Sequence, residues 1–151
     1  MSIFRSNVPA YFSPDEEASF SEFLARPKAT LVCGEDGGEV VAFGGYYVKG
    51  NVGRLCWGMV HSSKHRLGFG TEMLRERMHA LLTLPEVQAI GATTSQHSAD
   101  FFSRFGFEKI SAVPNGHARG LHAVEMQFVP GDRRSHNQLA DPAFPSVAAD
   151  R

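Results

Sequence analysis

Residues 65–70 read His-Arg-Leu-Gly-Phe-Gly, and what such residues can do together is hold an anion. A helix N-terminus carries free amides and a partial positive charge. Glycines just before it let ligand oxygens come close to the main chain. Gly68 and Gly70 precede a helical stripe over 71–82, and Arg66 adds charge beside them. The arrangement suits a pyrophosphate. It lacks the third glycine of a dinucleotide fingerprint and the Gly-Lys-Ser/Thr of a P-loop. On these residues alone, a tight strand-to-helix turn explains the pattern equally well.

The elements that must position this turn are legible around it. SPDEEASFSEFL (13–24) opens as a helix, with Ser13 as cap, Pro14 in the first turn and Glu16 closing a capping box. Three strands in series are expected at 29–33, 39–48 and 52–60, separated by Gly-rich and Asn-containing turns. Gly58, inside the third, signals a bulge. Met73, Leu74, Met78, Leu81 and Leu82 then mark a helix over 71–82. A buried strand follows at 87–94, and a short helix starts at Ser98, carries Phe101, Phe102 and Phe105, and ends at Gly106. Strands at 107–113 and 122–128 are separated by a turn at Pro114-Asn115-Gly116. A strand–helix–strand unit in the middle makes part of the sheet parallel. The fold class is therefore α+β with a mixed sheet, in one domain spanning 1–130. The polar segment 131–151 is read first as disordered and second as a strap over a neighbouring subunit.

Composition narrows the function classes. A chain of 151 residues can build one domain with a core. Its net charge of −1 gives no general attraction to nucleic acid or an anionic membrane. No run is long and apolar enough for a membrane span, and the first residues do not read as a secretory signal, so a cytoplasmic protein is expected. Cys33 and Cys56 sit in apolar, strand-like runs and read as two reduced core thiols. No Cys-x-x-Cys or His-x-x-x-His grouping suggests a metal.

The wider context of the turn is more specific. VHSSKHRLGFGTEML (60–74) resembles the acetyl-CoA-binding motif of the GNAT acetyltransferase superfamily, Gln/Arg-x-x-Gly-x-Gly/Ala between a strand and a long helix. Gly68 and Gly70 match, and Val60 stands at the expected distance before them. His65 occupies the place of the usual Gln or Arg. SADFFSRFGFE (98–108) is similar to the family's Ala-x-x-Phe-Tyr-x-x-x-Gly-Phe segment through Phe101, Gly106 and Phe107. The two motifs stand in the family's order, and the resemblance covers roughly 13–128.

The resemblance implies a GNAT fold with an antiparallel N-terminal meander and a central parallel pair splayed at the cofactor. The pantetheine arm of acetyl-CoA would pair with main chain at Gly58, Met59 and Val60. The pyrophosphate would rest on amides of the turn formed by His65, Arg66, Leu67, Gly68, Phe69, Gly70 and Thr71. Phe101 and Phe102 would flank the sulfur. Ser95 stands where the family often has Asn. Phe102 stands where many members have the Tyr that protonates the departing thiol, and it has no hydroxyl. No Asp or Glu lies on 52–60 or 87–94 to serve as base.

Substitutes are few. The amide of Met59 could polarise the thioester carbonyl. His61 follows the strand end and is either catalytic or structural. His97, His117 and Arg119 are candidates for the acceptor pocket, with Arg119 either holding an acceptor carboxylate or simply solvated. The expected function is acetyl-CoA-dependent N-acetylation of a small amine or amino-acid-like acceptor by direct attack in a ternary complex. The alternative is a catalytically weak acyl-CoA-binding sensor or partner module. A homodimer is a further expectation.

Overall fold

The computed structural model describes residues 1–131. The expectation for the polar segment from 131 onward lies, apart from Gly131, outside the described residues. The chain forms helices α1 (Ser2–Ser6) and α2 (Glu16–Ala25). Strands β1 (Thr30–Asp36), β2 (Glu39–Lys49) and β3 (Val52–Val60) follow. A 3-10 turn, Ser62–Lys64, leads into α3 (Phe69–Leu82). Then come β4 (Ala89–Thr94), α4 (Ala99–Ser103), β5 (Glu108–Ala118) and β6 (Leu121–Phe128). The six strands make one sheet in the order β1-β2-β3-β4-β6-β5, antiparallel except for β3 against β4.

Side chains alternate across the sheet, and each face buries its own cluster. Leu74, Met78 and Leu81 of α3 pack on Leu55, Ile90, Ala92, Val124 and Met126. On the other face α1 and α2 bring Ile3, Phe4 and Phe20 against Phe43, Cys56, Trp57 and Met59. Phe4 is fully buried, with its ring centroid 5.3 Å from that of Phe12 and 5.2 Å from that of Phe20. Burying one such ring stabilises the fold by about 1.5–3 kcal/mol.

The structure departs from the sequence reading in three places. The first residues form α1, whose single turn is too short for a periodic pattern and is held by tertiary packing of Ile3 and Phe4. The expected turn at Pro114-Asn115-Gly116 lies inside β5. The register slips between Val113 and Ala118, and the chain reverses only at Arg119-Gly120. Cys56 is buried as expected, but Cys33 is exposed, because β1 is an edge strand. The capping box at Ser13 forms on one side: the Ser13 amide donates to Glu16 Oε2 at 2.8 Å, and the Ser13 hydroxyl accepts from Asp15.

Candidate active site

The parallel pair is short. Only Val52–Leu55 of β3 pair with Ala89–Ala92 of β4, after which the strands part. The cause lies in β3. Between the pairs Gly45↔Cys56 and Phe43↔Met59, two residues of β3 oppose one of β2, a bulge at Trp57 and Gly58. Trp57 takes φ 50°, and Gly58 is exposed in the resulting opening. A bulge bends its strand and raises local twist, which carries the end of β3 away from β4.

Beyond β3 the chain turns into α3 through a run of free donors. Among the described residues, the amides of Arg66 through Thr71 donate to no main-chain carbonyl. Gly68, the residue before the helix, has φ 92°, and a Cβ built on it would meet nothing within 4 Å. That conformation favours glycine, and the empty space beside it leaves room for a ligand oxygen. Arg66 also takes a left-handed conformation, φ 63°, with its side chain exposed. A Cβ on Gly70 would lie 3.6 Å from Phe101 Cζ and 3.7 Å from Val60 Cγ2. The two motifs, far apart in sequence, therefore meet: α4 packs against the start of α3, and the end of β3 closes the third side.

Other candidates have defined places. His65 Nε2 donates to the Val60 carbonyl at 2.9 Å, and Asn7 Nδ2 donates to the same oxygen at 2.8 Å. The His65 ring thus braces the turn from inside, and the Val60 carbonyl already holds two donors. His61 Nδ1 accepts from the Ser63 amide at 3.2 Å and caps the 3-10 turn. The Ser95 hydroxyl accepts from the His97 amide at 3.3 Å and shapes the entry to α4. Phe102 is half-buried between Phe101 and Phe107. His117 Nε2 donates to the Thr94 carbonyl at 2.9 Å, and Gln96 ties both Gly120 and His122 to the end of β4. These bonds tie the β5–β6 hairpin, with exposed Arg119 at its tip, to the end of β4 at Thr94 and Gln96.

Four features escaped the sequence reading. Tyr11 places its ring edge-on to His65, with centroids 5.4 Å apart, and to His97, with centroids 6.3 Å apart, so it lies between them. Asn7 braces Val60, as described. Arg54 of β3 pairs with Glu125 of β6, both buried, with Thr93 of β4 between them. Arg54 Nη2 donates to Thr93 Oγ1 at 3.0 Å, and that hydroxyl donates to Glu125 Oε2 at 2.7 Å. This carboxylate is buried beside the splay but is engaged by a guanidinium and a hydroxyl. Arg77 of α3 is buried with no carboxylate partner among the described residues; its signal was a cation at i+4 from Met73, inside the apolar stripe. Among the described residues no group of three His, Cys, Asp or Glu is placed for a metal, and no helix is long and apolar enough to cross a membrane.

No curated protein sequence matches the chain. Solved structures match its fold. An aminoglycoside 6'-N-acetyltransferase complexed with coenzyme A is 16% identical, with 84% of this chain and 86% of that one covered and a TM-score of 0.67. A Bacillus subtilis acetyltransferase in complex with CoA is 12% identical over 85% and 91%, with a TM-score of 0.66. The ribosomal-protein-S18-alanine N-acetyltransferase of Escherichia coli is 17% identical over 72% and 75%, with a TM-score of 0.60. The named acceptors of these neighbours, an aminoglycoside and a protein alanine, differ, so the fold leaves the acceptor open. The profile of the Acetyltransferase (GNAT) family matches residues 1–107, and the chain belongs to that family of acyltransferases.

Proposed function

We propose that the protein is an acetyl-CoA-dependent N-acetyltransferase acting on a small amine or amino-acid-like acceptor, with direct attack in a ternary complex. The observation that carries this reading is the run of free amides from Arg66 to Thr71, opening beside a parallel pair that ends at Leu55 and Ala92. Main-chain donors at a helix start suit a diphosphate. The bulge at Trp57 and Gly58 leaves main chain for the pantetheine arm at Gly58, since Met59 pairs with Phe43 of β2 and the Val60 carbonyl already holds two donors.

The coenzyme, when bound, supplies the activated acyl group. In this reading the amides of the turn hold its diphosphate. Phe101 and Phe102 exclude water from its sulfur end, and an amide at the bulge polarises the carbonyl under attack, rather than that of Met59, which pairs with Phe43 of β2. Holding two reactants in contact replaces a bimolecular encounter and is a large share of the work in direct transfer. In this reading His97 and Arg119 border the acceptor, and Arg119 meets an acceptor carboxylate. His117 supports that wall through Thr94. His61, capping its own turn, serves structure in this reading rather than proton transfer. The setting is cytoplasmic, and a homodimer is part of the proposal.

Thermal unfolding with CoA, then with CoA plus a library of amines, tests the reading. Stabilisation by CoA, a second increment from an amine, and thiol release with that amine are expected. No stabilisation by CoA would overturn it. Phe102 favours a second reading, a CoA-binding sensor or partner module. Strong CoA stabilisation with no thiol release across the amine panel would select that reading instead.

A further inference from the structure

Arg77 occupies a position on α3 that its neighbours fill with Met73, Leu74, Met78 and Leu81, all buried. It is only 4% exposed. Its Nε donates to the Met73 carbonyl at 3.2 Å and its Nη1 to the Gly45 carbonyl at 3.3 Å. Its Nη2 donates to no described residue. The guanidinium lies flat against two glycines. A Cβ on Gly44 would fall 2.8 Å from Arg77 Cζ, and one on Gly58 would fall 2.9 Å from Nη2. Both glycines belong to the bulge, and Gly58 is exposed where β3 has left β4. A side chain at either place would push the cation aside, so the glycines let the charge reach the opening.

Among the described residues this cation has no carboxylate counterpart, and the titratable group acting on it is the thiol of Cys56. Burial pushes Arg77 down to about 10, which still leaves it charged at neutral pH. A buried charge without an opposite partner is costly, and an anion in the splay would offset that cost. In the proposed reading the sulfur of the coenzyme ends at this depth, past Val60 and beside Gly58.

We propose that Arg77 is a catalytic residue of the acyl transfer, its Nη2 side stabilising the thiolate of coenzyme A through the gap above Gly58. The inference rests on the acetyltransferase reading. As the amine nitrogen bonds to the carbonyl carbon, the carbon–sulfur bond breaks and its electron pair leaves on sulfur. The proton of the amine passes to water. The thiolate is held beside the guanidinium until coenzyme A is released and solvent water protonates it. This arrangement replaces the phenol that Phe102 lacks: a fixed positive charge makes the leaving group good without a proton donor.

The test is the titration of the thiol of CoA bound to the full chain. It is followed by ultraviolet thiolate absorbance against the same protein loaded with desulfo-CoA, which removes the signals of Cys33 and Cys56. An opposite charge within reach lowers a thiol by about one unit or more. That shift is expected for the native protein. In Arg77→Met the thiol should return to the value of free CoA and kcat should fall about tenfold or more. Arg77→Lys should keep part of both. A thiol that titrates as in free CoA, or an Arg77→Met protein with the shift and kcat intact, would overturn the inference. If Arg77→Met does not fold, the native titration decides by itself. CoA that binds with an unshifted thiol removes this inference alone; CoA that does not bind removes the parent reading as well.

Discussion

The turn before α3 and the splay between β3 and β4 are built from different material. At the turn, residues 66–71 offer main-chain amides, and the side chains of Arg66 and Leu67 are exposed, Leu67 to 63%. At the splay, the charges belong to side chains and are sealed in: Arg77, and on the opposite face Arg54 with Glu125 and Thr93. The contrast is one of dielectric. Partial charges at a solvated helix start are screened, so such a site works by supplying many donors together. A buried guanidinium acts singly, because the Coulomb interaction is far stronger where water is excluded. The turn suits holding a ligand, whereas the splay suits acting on charge that appears during a reaction.

Substitutions can break this contrast at either end. The largest effect is expected from Glu125→Ala, which leaves Arg54 buried and uncompensated; the loss should be about 3–5 kcal/mol in urea unfolding. The double variant Arg54→Met, Glu125→Leu should regain most of it, since apolar replacement of a buried pair is often neutral. A loss under about 1 kcal/mol would mean the pair is as screened as a surface one, and the contrast would fail. At the turn, Gly70→Glu should weaken CoA binding about 100-fold by calorimetry, because a carboxylate then competes for the same amides. Gly70→Ala should stay within about threefold, since a methyl there meets only ordinary contacts at 3.6 and 3.7 Å. CoA affinity unaffected by the carboxylate would displace the diphosphate from this corner.

Smaller effects sharpen the picture. Gly68→Ala should cost about 1 kcal/mol of stability from its left-handed conformation alone, since no neighbour obstructs the new methyl. Phe102→Tyr tests the division of labour at the splay. A phenol acting as general acid contributes about 100-fold or more where it is needed. With Arg77 already stabilising the thiolate, the gain in kcat should be under about threefold. A gain near the full value would show that the leaving group lacked help.

Legibility followed the same divide. The turn before α3 was readable because a left-handed residue at a helix start favours glycine, and Gly68, at φ 92°, recorded that need locally. The bulge was readable through Gly58 inside an apolar strand. The helices α2 and α3 and all six strands carried their own periodicity, with boundaries shifted by a few residues. The β5–β6 reversal was misplaced because Pro114-Asn115-Gly116 is turn chemistry in isolation. Pairing with β6 continues past it to Ala118, and that pairing is a long-range fact. Cys33 was misassigned because an edge strand and an inner strand look alike until the sheet order is known.

The sequence by itself determined the order of elements from α2 onward, the glycine turn before α3 and the two motifs that meet there, since each is written in residues near one another along the chain. Only the tertiary structure decided that Arg77 reaches the splay through Gly44 and Gly58. It also decided that Glu125 is engaged by Arg54 and that Tyr11 lies between His65 and His97. Those facts depend on strands and helices brought together from distant positions, and the free energy of a buried charge is set by what surrounds it in space rather than by its neighbours in sequence.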